Sequence, residues 1–232
     1  MIPLRDNIPS DRTPVVTVGL IGVNVLVYLN QLMLTPRAGV RFIYLYGLIP
    51  LEISSGNLLM PHPVPLYATL LTSMFVHGGL FHLGGNMLYL WIFGDNVEDR
   101  MGRLKFLAFY LLSGLAAAAA QIWADPASKI PMIGASGAIS GVLGAYLFLF
   151  PYARVLTLIP LGFFYRIMEI PALVVLGFWI VVQVLNGVMT LGVQVGGVAW
   201  LAHVGGFVAG IVMVIPFTGW RMRLPWRGDQ LL

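Results

Sequence analysis

A serine flanked by glycines is the residue of this sequence whose surroundings best suit nucleophilic chemistry. Ser136 lies in a Gly-Ala-Ser-Gly stretch at the start of an apolar run, where the first N–H groups of a helix lack intrahelical partners. Such N–H groups can bind a developing oxyanion, as acyl transfer requires. The alternative is that Ser136 only packs or caps, because Gly137, Gly141 and Gly144 share a face suited to close helix contact.

A histidine in a later apolar run is the candidate base for this serine. His203 shares one helix face with Gly206 and Gly210 by the 3.6-residue period. A stripe of small residues lets this helix approach a neighbour. If that neighbour carries Ser136, a neutral imidazole can take the serine proton and return it to the leaving amine. The alternative is a histidine that only hydrogen-bonds between helices.

Two further side chains have the spacing of paired hydrogen-bond donors. His82 and Asn86 lie at i and i+4, so both project from one face of a helix toward a common point such as an oxyanion. His77 is interpreted as organising the loop end before them. A zinc site of His77, His82 and His203 lacks support, because the sequence has no His-Glu-x-x-His motif and no mid-span carboxylate. We therefore predict no metal.

The elements that position these residues must be membrane helices. The 232 residues are 59% hydrophobic and 9% charged, whereas soluble domains are about 25% charged. So small a chain cannot bury this much apolar surface, and the excess must face lipid. The absence of cysteine excludes disulfides and thiol nucleophiles. The basic residues are scattered along the chain, so we predict no nucleic-acid partner.

Six uncharged runs approach or exceed the ~20 residues that cross a bilayer. They are residues 15–34, 66–93, 106–123, 133–150, 170–191 and 198–216. The sequence therefore predicts an all-α polytopic membrane protein, a six-helix bundle forming one domain over residues 1–232. Polar residues at this depth are costly and are candidates for function. Those considered are Asn24, His77, His82, Asn86, Ser113, Ser136, Ser140, Gln183, Asn186 and His203.

The basic residues predict the orientation of these spans. With six spans both termini lie on one side, and ten of the 13 Lys and Arg residues fall on that side. The positive-inside rule then makes both termini cytoplasmic. Short tails without a targeting extension lead us to expect a prokaryotic plasma (inner) membrane. The ten residues are Arg5, Arg12, Arg100, Arg103, Lys105, Arg154, Arg166, Arg221, Arg223 and Arg227, against Arg37, Arg41 and Lys129 on the other side.

Two connections between spans are apolar. Residues 35–65 form a long, aromatic and partly Pro-rich outer loop, which we expect at the membrane interface. Residues 155–165 are too short to span, and we expect them to lie along the cytoplasmic surface.

Three motifs, in this order on six predicted spans, resemble the rhomboid family of intramembrane serine proteases. They are His-Leu-Gly-Gly-Asn at 82–86, Gly-Ala-Ser-Gly at 134–137 and Ala-His-Val-Gly-Gly-Phe-Val-Ala-Gly at 202–210. The resemblance covers residues 15–216. It implies a dyad of Ser136 and His203 without a third acidic member, and an oxyanion site formed by Asn86, His82 and the Ser136 N–H. It also implies hydrolysis of single-span transmembrane substrates within the lipid bilayer, without a cofactor.

The sequence departs from the family pattern at two places. Some rhomboids carry an aromatic residue one turn after the nucleophile that stacks on the catalytic histidine, whereas this sequence has Ser140. We therefore expect His203 to be oriented differently, by packing on small residues of the neighbouring helix. Several members also carry a Trp-Arg pair in the first outer loop, but residues 35–65 contain no Trp, so this loop must be anchored differently.

Two alternative functions stay open beside the protease. One is an inactive rhomboid-like protein that binds transmembrane helices, although such relatives usually lack the serine or the histidine. The other is a small transporter, against which the absence of mid-span Asp, Glu, Lys and Arg counts.

Overall fold

The computed structural model describes residues 1–162, 164–189 and 198–218, which are mostly helical. In chain order the elements are β1 (Ile2–Asp6), α1 (Val15–Leu32), α2 (Pro36–Tyr46), α3 (Pro50–Ser55), α4 (Thr69–Thr72), α5 (Leu80–Met101), α6 (Arg103–Ala124), α7 (Ser136–Leu149), β2 (Arg154–Leu161), β3 (Phe164–Pro171), α8 (Ala172–Met189) and α9 (Trp200–Thr218). One-turn 3₁₀ segments flank α4 at Leu66–Ala68 and Ser73–Phe75.

The long helices follow the predicted apolar runs. Among the described residues, α1, α6, α8 and α9 are long and apolar enough to cross a membrane, and a bent pair made of Leu66–Phe75 and α5 can supply a fifth span. With 14 residues, α7 is about 21 Å long, less than a span needs. The helical membrane fold is confirmed, whereas the count of six spans stays a prediction.

The second predicted span, residues 66–93, is bent rather than continuous. Its two parts meet at 81°, at a break that contains Gly78 and Gly79 and where glycine disfavours a helix interior. The chain is held there by Gln31, whose Nε2 donates to the His77 carbonyl oxygen at 2.9 Å and whose Oε1 accepts from the His77 N–H at 3.1 Å. As a result α5 begins only at Leu80, and its first turn carries His82.

The centre of the bundle is α7, which packs against α6 and α9. Its residues from Ala138 to Tyr146 are all buried. Main chains of α7 and α9 lie in direct contact, because a Cβ on Gly206 would overlap Gly137 O and one on Gly210 would overlap Gly141 O. The predicted stripe of small residues on the helix of His203 is therefore confirmed as the face that meets the serine helix.

A three-stranded antiparallel sheet, which the sequence analysis did not predict, covers one end of the bundle. Its order is β1-β2-β3, with Ile2 opposite Leu158 and Arg154 opposite Pro171. Gly162, at φ +66°, lies in the turn after β2. Residues 155–165, expected as an interfacial connection, thus belong mainly to two strands, which pair their backbone groups with each other and with the N-terminal segment.

The sheet end also gathers the basic residues of the predicted cytoplasmic side. Arg12 lies 4.0 Å from Asp99 near the end of α5, and the N–H of Arg154 donates to Asn7. Seven of the ten basic residues predicted on the cytoplasmic side lie in or beside these segments. The other three, Arg221, Arg223 and Arg227, fall outside the described residues. At the opposite end, Leu48 pairs with Met132 and joins the outer loop to the segment before Ser136.

Candidate active site

Ser136 is the first residue of α7, and a glycine two positions earlier shapes the backbone that leads to it. Gly134 has a φ of +111°, which residues with a Cβ rarely adopt, and its N–H donates to the Ser73 carbonyl oxygen at 2.9 Å. As a first helical residue, Ser136 has an N–H without an intrahelical acceptor. Its side chain is half-buried, so a substrate can reach the hydroxyl.

His203 on α9 contacts this serine directly. Its Nε2 lies 2.8 Å from Ser136 Oγ, an ordinary hydrogen-bond length. The imidazole is 8% exposed and is held at this distance by the close contact between Gly206 and Gly137 O. The structure therefore brings together the two residues that the sequence suggested as nucleophile and base, with the contact that proton transfer requires.

A glutamine on α8 occupies the other side of the imidazole. Oε1 of Gln183 lies 2.7 Å from His203 Nδ1, and Gln183 is 6% exposed. Its Nε2 donates to the Trp179 carbonyl oxygen at 3.3 Å. Gln183 is one of the intramembrane polar residues named above, but its sequence context gives it no role, because the sequence does not reveal how α8 is rotated. Its polarity in a mostly apolar run is the one signal.

Two tryptophan rings complete the surroundings of His203. The Trp179 ring lies 5.8 Å from the imidazole, inclined at 32°, and the Trp200 ring meets it edge-on at 6.2 Å. His203 thus contacts two aromatic rings and the amide of Gln183, whereas the sequence predicts that packing on small residues of the neighbouring helix orients it. Ser140, at the position where some rhomboids have an aromatic ring, instead donates to the Ser136 carbonyl oxygen at 2.6 Å.

His82 and Asn86 point toward the backbone that precedes Ser136. A Cβ built on Gly134 would lie 2.6 Å from His82 Nε2 and 3.6 Å from Asn86 Nδ2. The Gly78 N–H donates to His82 Nδ1 at 3.3 Å, so a neutral His82 carries its proton on Nε2. Within the described chain, Asn86 Nδ2 is buried without a hydrogen-bond partner. Two unused donors thus face one point beside the serine.

His77 does not reach Ser136. It is 1% exposed, its ring meets that of His82 edge-on at 5.0 Å, and its main chain is bound by Gln31. This agrees with the interpretation of His77 as a residue that organises the loop end. Among the described residues, the structure groups no three His, Asp or Glu side chains as metal ligands.

The serine, the histidine that contacts it and the two candidate oxyanion donors line one cavity. Its volume is about 1170 Å³, and its walls include His82, Asn86, Ser136, Trp179 and His203. Segments of the outer loop and residues 130–134 close its other side, so the cavity lies at the end of the bundle opposite the sheet. A cavity of this size with polar side chains in its wall can hold water, which hydrolysis of an acyl intermediate requires.

Comparison with known proteins gives a family match over most of the chain. A family model described as Rhomboid domain matches residues 66–220. "Rhomboid protein 1, mitochondrial" of Saccharomyces cerevisiae is 28% identical over 199 residues, covering 83% of this chain and 50% of the relative. "Rhomboid protease GluP" of Bacillus subtilis is 43% identical over 79 residues, covering 34% of this chain and 15% of the relative.

A human relative matches a shorter segment. "Presenilin-associated rhomboid-like protein, mitochondrial" of Homo sapiens is 35% identical over 91 residues, which cover 38% of this chain and 24% of the relative. The chain therefore spans half or less of the length of these three relatives.

Proposed function

The chain belongs to the rhomboid family, and we propose that it is an intramembrane serine endopeptidase with Ser136 as nucleophile and His203 as general base. The observation that carries the proposal is the 2.8 Å contact between Ser136 Oγ and His203 Nε2 inside a cavity lined by His82 and Asn86. The bacterial relative named as a protease supports the same class of activity.

The first half of the reaction forms an acyl-enzyme. Ser136 Oγ attacks the carbonyl carbon of the scissile peptide bond while His203 Nε2 takes the hydroxyl proton. The carbonyl oxygen becomes an oxyanion, and Asn86 Nδ2, His82 Nε2 and the Ser136 N–H donate hydrogen bonds to it. When the C–N bond breaks, the imidazolium returns the proton to the leaving amine.

The second half releases the acyl group. A water molecule from the cavity gives its proton to His203 and attacks the ester carbonyl, and the same three donors stabilise the second oxyanion. Collapse of this intermediate frees the new carboxyl end and returns the proton to Ser136 Oγ. No residue in this sequence of steps changes its oxidation state, and no cofactor is needed.

We propose single-span transmembrane proteins as the substrates, cleaved at or near the point where they enter the membrane, with small residues at the scissile bond. A helical peptide bond is shielded by its own hydrogen bonds, and a cavity that must admit an extended strand favours locally unwound segments. To test this, the purified protein is reconstituted in liposomes with a single-span substrate and with a version stiffened by helix-forming residues around the cleaved bond. We expect slower cleavage of the stiffened version, whereas equal rates contradict the substrate model.

Ser136→Ala is the control that tests the activity itself. We expect no cleavage of either substrate by Ser136→Ala protein that elutes and melts like the wild type. Cleavage that persists in this variant contradicts the proposed function. A wild-type protein that binds the substrate without cleaving it supports the inactive helix-binding alternative.

We further propose that residues 1–232 act as one domain in the plasma (inner) membrane with both termini cytoplasmic. The basic residues at the sheet end support this orientation. Two of the reported relatives carry mitochondrial names, whereas GluP is bacterial, so a mitochondrial membrane is the competing location. A fluorescent fusion in the source cells, combined with protease protection of terminal tags, distinguishes the two.

A further inference from the structure

We propose that Gln183 is a positioning residue that sets the proton position and the orientation of His203. The inference deepens the proposed function and rests on it. It starts from the finding that one amide side chain, 6% exposed, contacts the nitrogen of the imidazole that faces away from Ser136.

The Trp179 carbonyl oxygen determines which way the amide of Gln183 faces. A carbonyl oxygen can only accept a hydrogen bond, so the amide group 3.3 Å from it must be the NH₂ group. The Gln183 oxygen, Oε1, is then the atom that faces His203 at 2.7 Å. The backbone of α8 thus fixes one of the two possible orientations of the Gln183 amide.

The amide oxygen in turn determines the tautomer of the histidine. Because Oε1 only accepts, His203 Nδ1 must carry a proton, and a neutral imidazole then has its lone pair on Nε2. That lone pair faces the Ser136 hydroxyl at 2.8 Å. With the opposite amide orientation the proton would lie on Nε2, and the imidazole could not accept the serine proton.

Gln183 therefore does for His203 what a carboxylate does in a serine-protease triad, but without a negative charge. It fixes geometry and proton position, and it stabilises the imidazolium only through its amide dipole. Together, the contacts of His203 with Gln183 and with Ser136 join three helices, because Ser136 lies on α7, His203 on α9 and Gln183 on α8. We expect its loss to lower kcat more than it changes KM.

The test compares Gln183→Leu, which removes the acceptor, with Gln183→Glu, which keeps an oxygen at the same distance. With a single-span substrate in liposomes, we expect kcat of Gln183→Leu to fall about 10-fold or more, part of the ~10²–10⁴-fold contribution of a general base, with KM nearly unchanged. Gln183→Glu should recover most of kcat. Val184→Ala, a lipid-facing change on the same helix, should match the wild type.

A tautomer measurement separates this inference from the proposed function. The ¹⁵N chemical shifts of His203 in the folded wild type should report a protonated Nδ1, and the same shifts in Gln183→Leu should report loss of that preference. A wild-type imidazole protonated on Nε2, or equal kcat values for wild type and Gln183→Leu, overturns the role of Gln183. Equal losses in Gln183→Leu and Gln183→Glu also overturn it, because they indicate packing alone. An inactive wild type with the expected tautomer rejects the protease and keeps the positioning role.

Discussion

Two buried polar side chains of α5, one near each end of the bundle, differ in whether their hydrogen-bonding groups are satisfied. At the sheet end, Glu98 is 3% exposed, and its carboxylate accepts from the Val16 N–H at 3.0 Å and from the N–H and hydroxyl of Thr17, each at 2.8 Å. At the cavity end, Asn86 is 7% exposed, and its Nδ2 has no partner within the described chain.

The difference separates stability from chemistry. Glu98 satisfies the first N–H groups of α1, which begins after Pro14 without a side-chain cap, and a carboxylate at a helix N-terminus is favoured. Satisfied groups hold the scaffold together. An unpaired buried donor costs folding free energy, and beside a reacting carbonyl it can stabilise the charge that develops during the reaction. Mutations at the sheet end should therefore change stability, and mutations at the cavity end should change rate.

The largest expected effect is the loss of the base. In His203→Ala, Ser136 keeps its hydroxyl but has no proton acceptor, so cleavage should fall about 10³-fold or more. The melting temperature should change little compared with the rate. The measurement is substrate cleavage in liposomes beside thermal unfolding, with the lipid-facing variant Val208→Ala as control. A variant that loses activity only because it unfolds would break the comparison.

The second effect belongs to the sheet end. Glu98→Ala leaves the N–H groups of Val16 and Thr17 without their acceptor, which should lower the free energy of unfolding by about 3 kcal/mol. Below the new melting temperature, kcat should equal that of the wild type. Denaturation in detergent measures the first quantity, and Glu169→Ala, an exposed carboxylate in β3, is the matched control. Unchanged stability in Glu98→Ala contradicts the assignment of this end to the scaffold.

Asn86, the proposed oxyanion donor, should show the opposite pattern to Glu98, because its loss should lower the rate rather than the stability. Asn86→Ala removes one of three proposed donors, so kcat should fall about 10- to 100-fold, because the remaining donors share the oxyanion. Stability should stay equal or rise, since the variant removes a buried amide whose donor is unpaired. Steady-state kinetics beside Asn57→Ala, an outer-loop control, measures this. Full activity in Asn86→Ala removes Asn86 from the site.

Features of the fold and site that depend on neighbouring residues could be predicted from the sequence, whereas those that depend on residues far apart in the chain could not. The apolar runs and the glycine faces that join α7 to α9 are local patterns, so the helices and the contact of Ser136 with His203 were within reach of the sequence. The sheet was not, because Ile2 pairs with Leu158 far along the chain. The contact of Gln183 depends on how α8 is rotated, which an almost wholly apolar run does not encode.

The smallest expected effect concerns pH at the sheet end. Burial raises the pKa of Asp6 to about 6, against the hydrogen bond from Tyr146, which lowers it. A carboxyl whose pKa is higher in the folded than in the unfolded state stabilises the fold below pH ~4 and loses this contribution as pH rises to ~6. Between pH ~4 and ~6, Asp6 should lower the unfolding free energy of the wild type by about 1–2 kcal/mol. Asp6→Asn should lack this fall.

Thermal unfolding of both proteins between pH 4 and 7 measures the effect of Asp6→Asn. Cleavage activity measured at a fixed pH should not change, because Asp6 lies at the sheet end. Identical pH profiles for wild type and Asp6→Asn contradict the assignment of the titration to this carboxyl.

The central claim is that His203 activates Ser136, and a serine-reactive fluorophosphonate tests it without knowledge of the substrate. The purified wild type, Ser136→Ala and His203→Ala proteins are incubated with the probe, and the modified residue is identified by mass spectrometry. The account predicts labelling of the wild type on Ser136 and none in either variant. Labelling of His203→Ala at the wild-type rate, or a folded wild type that stays unlabelled, contradicts it.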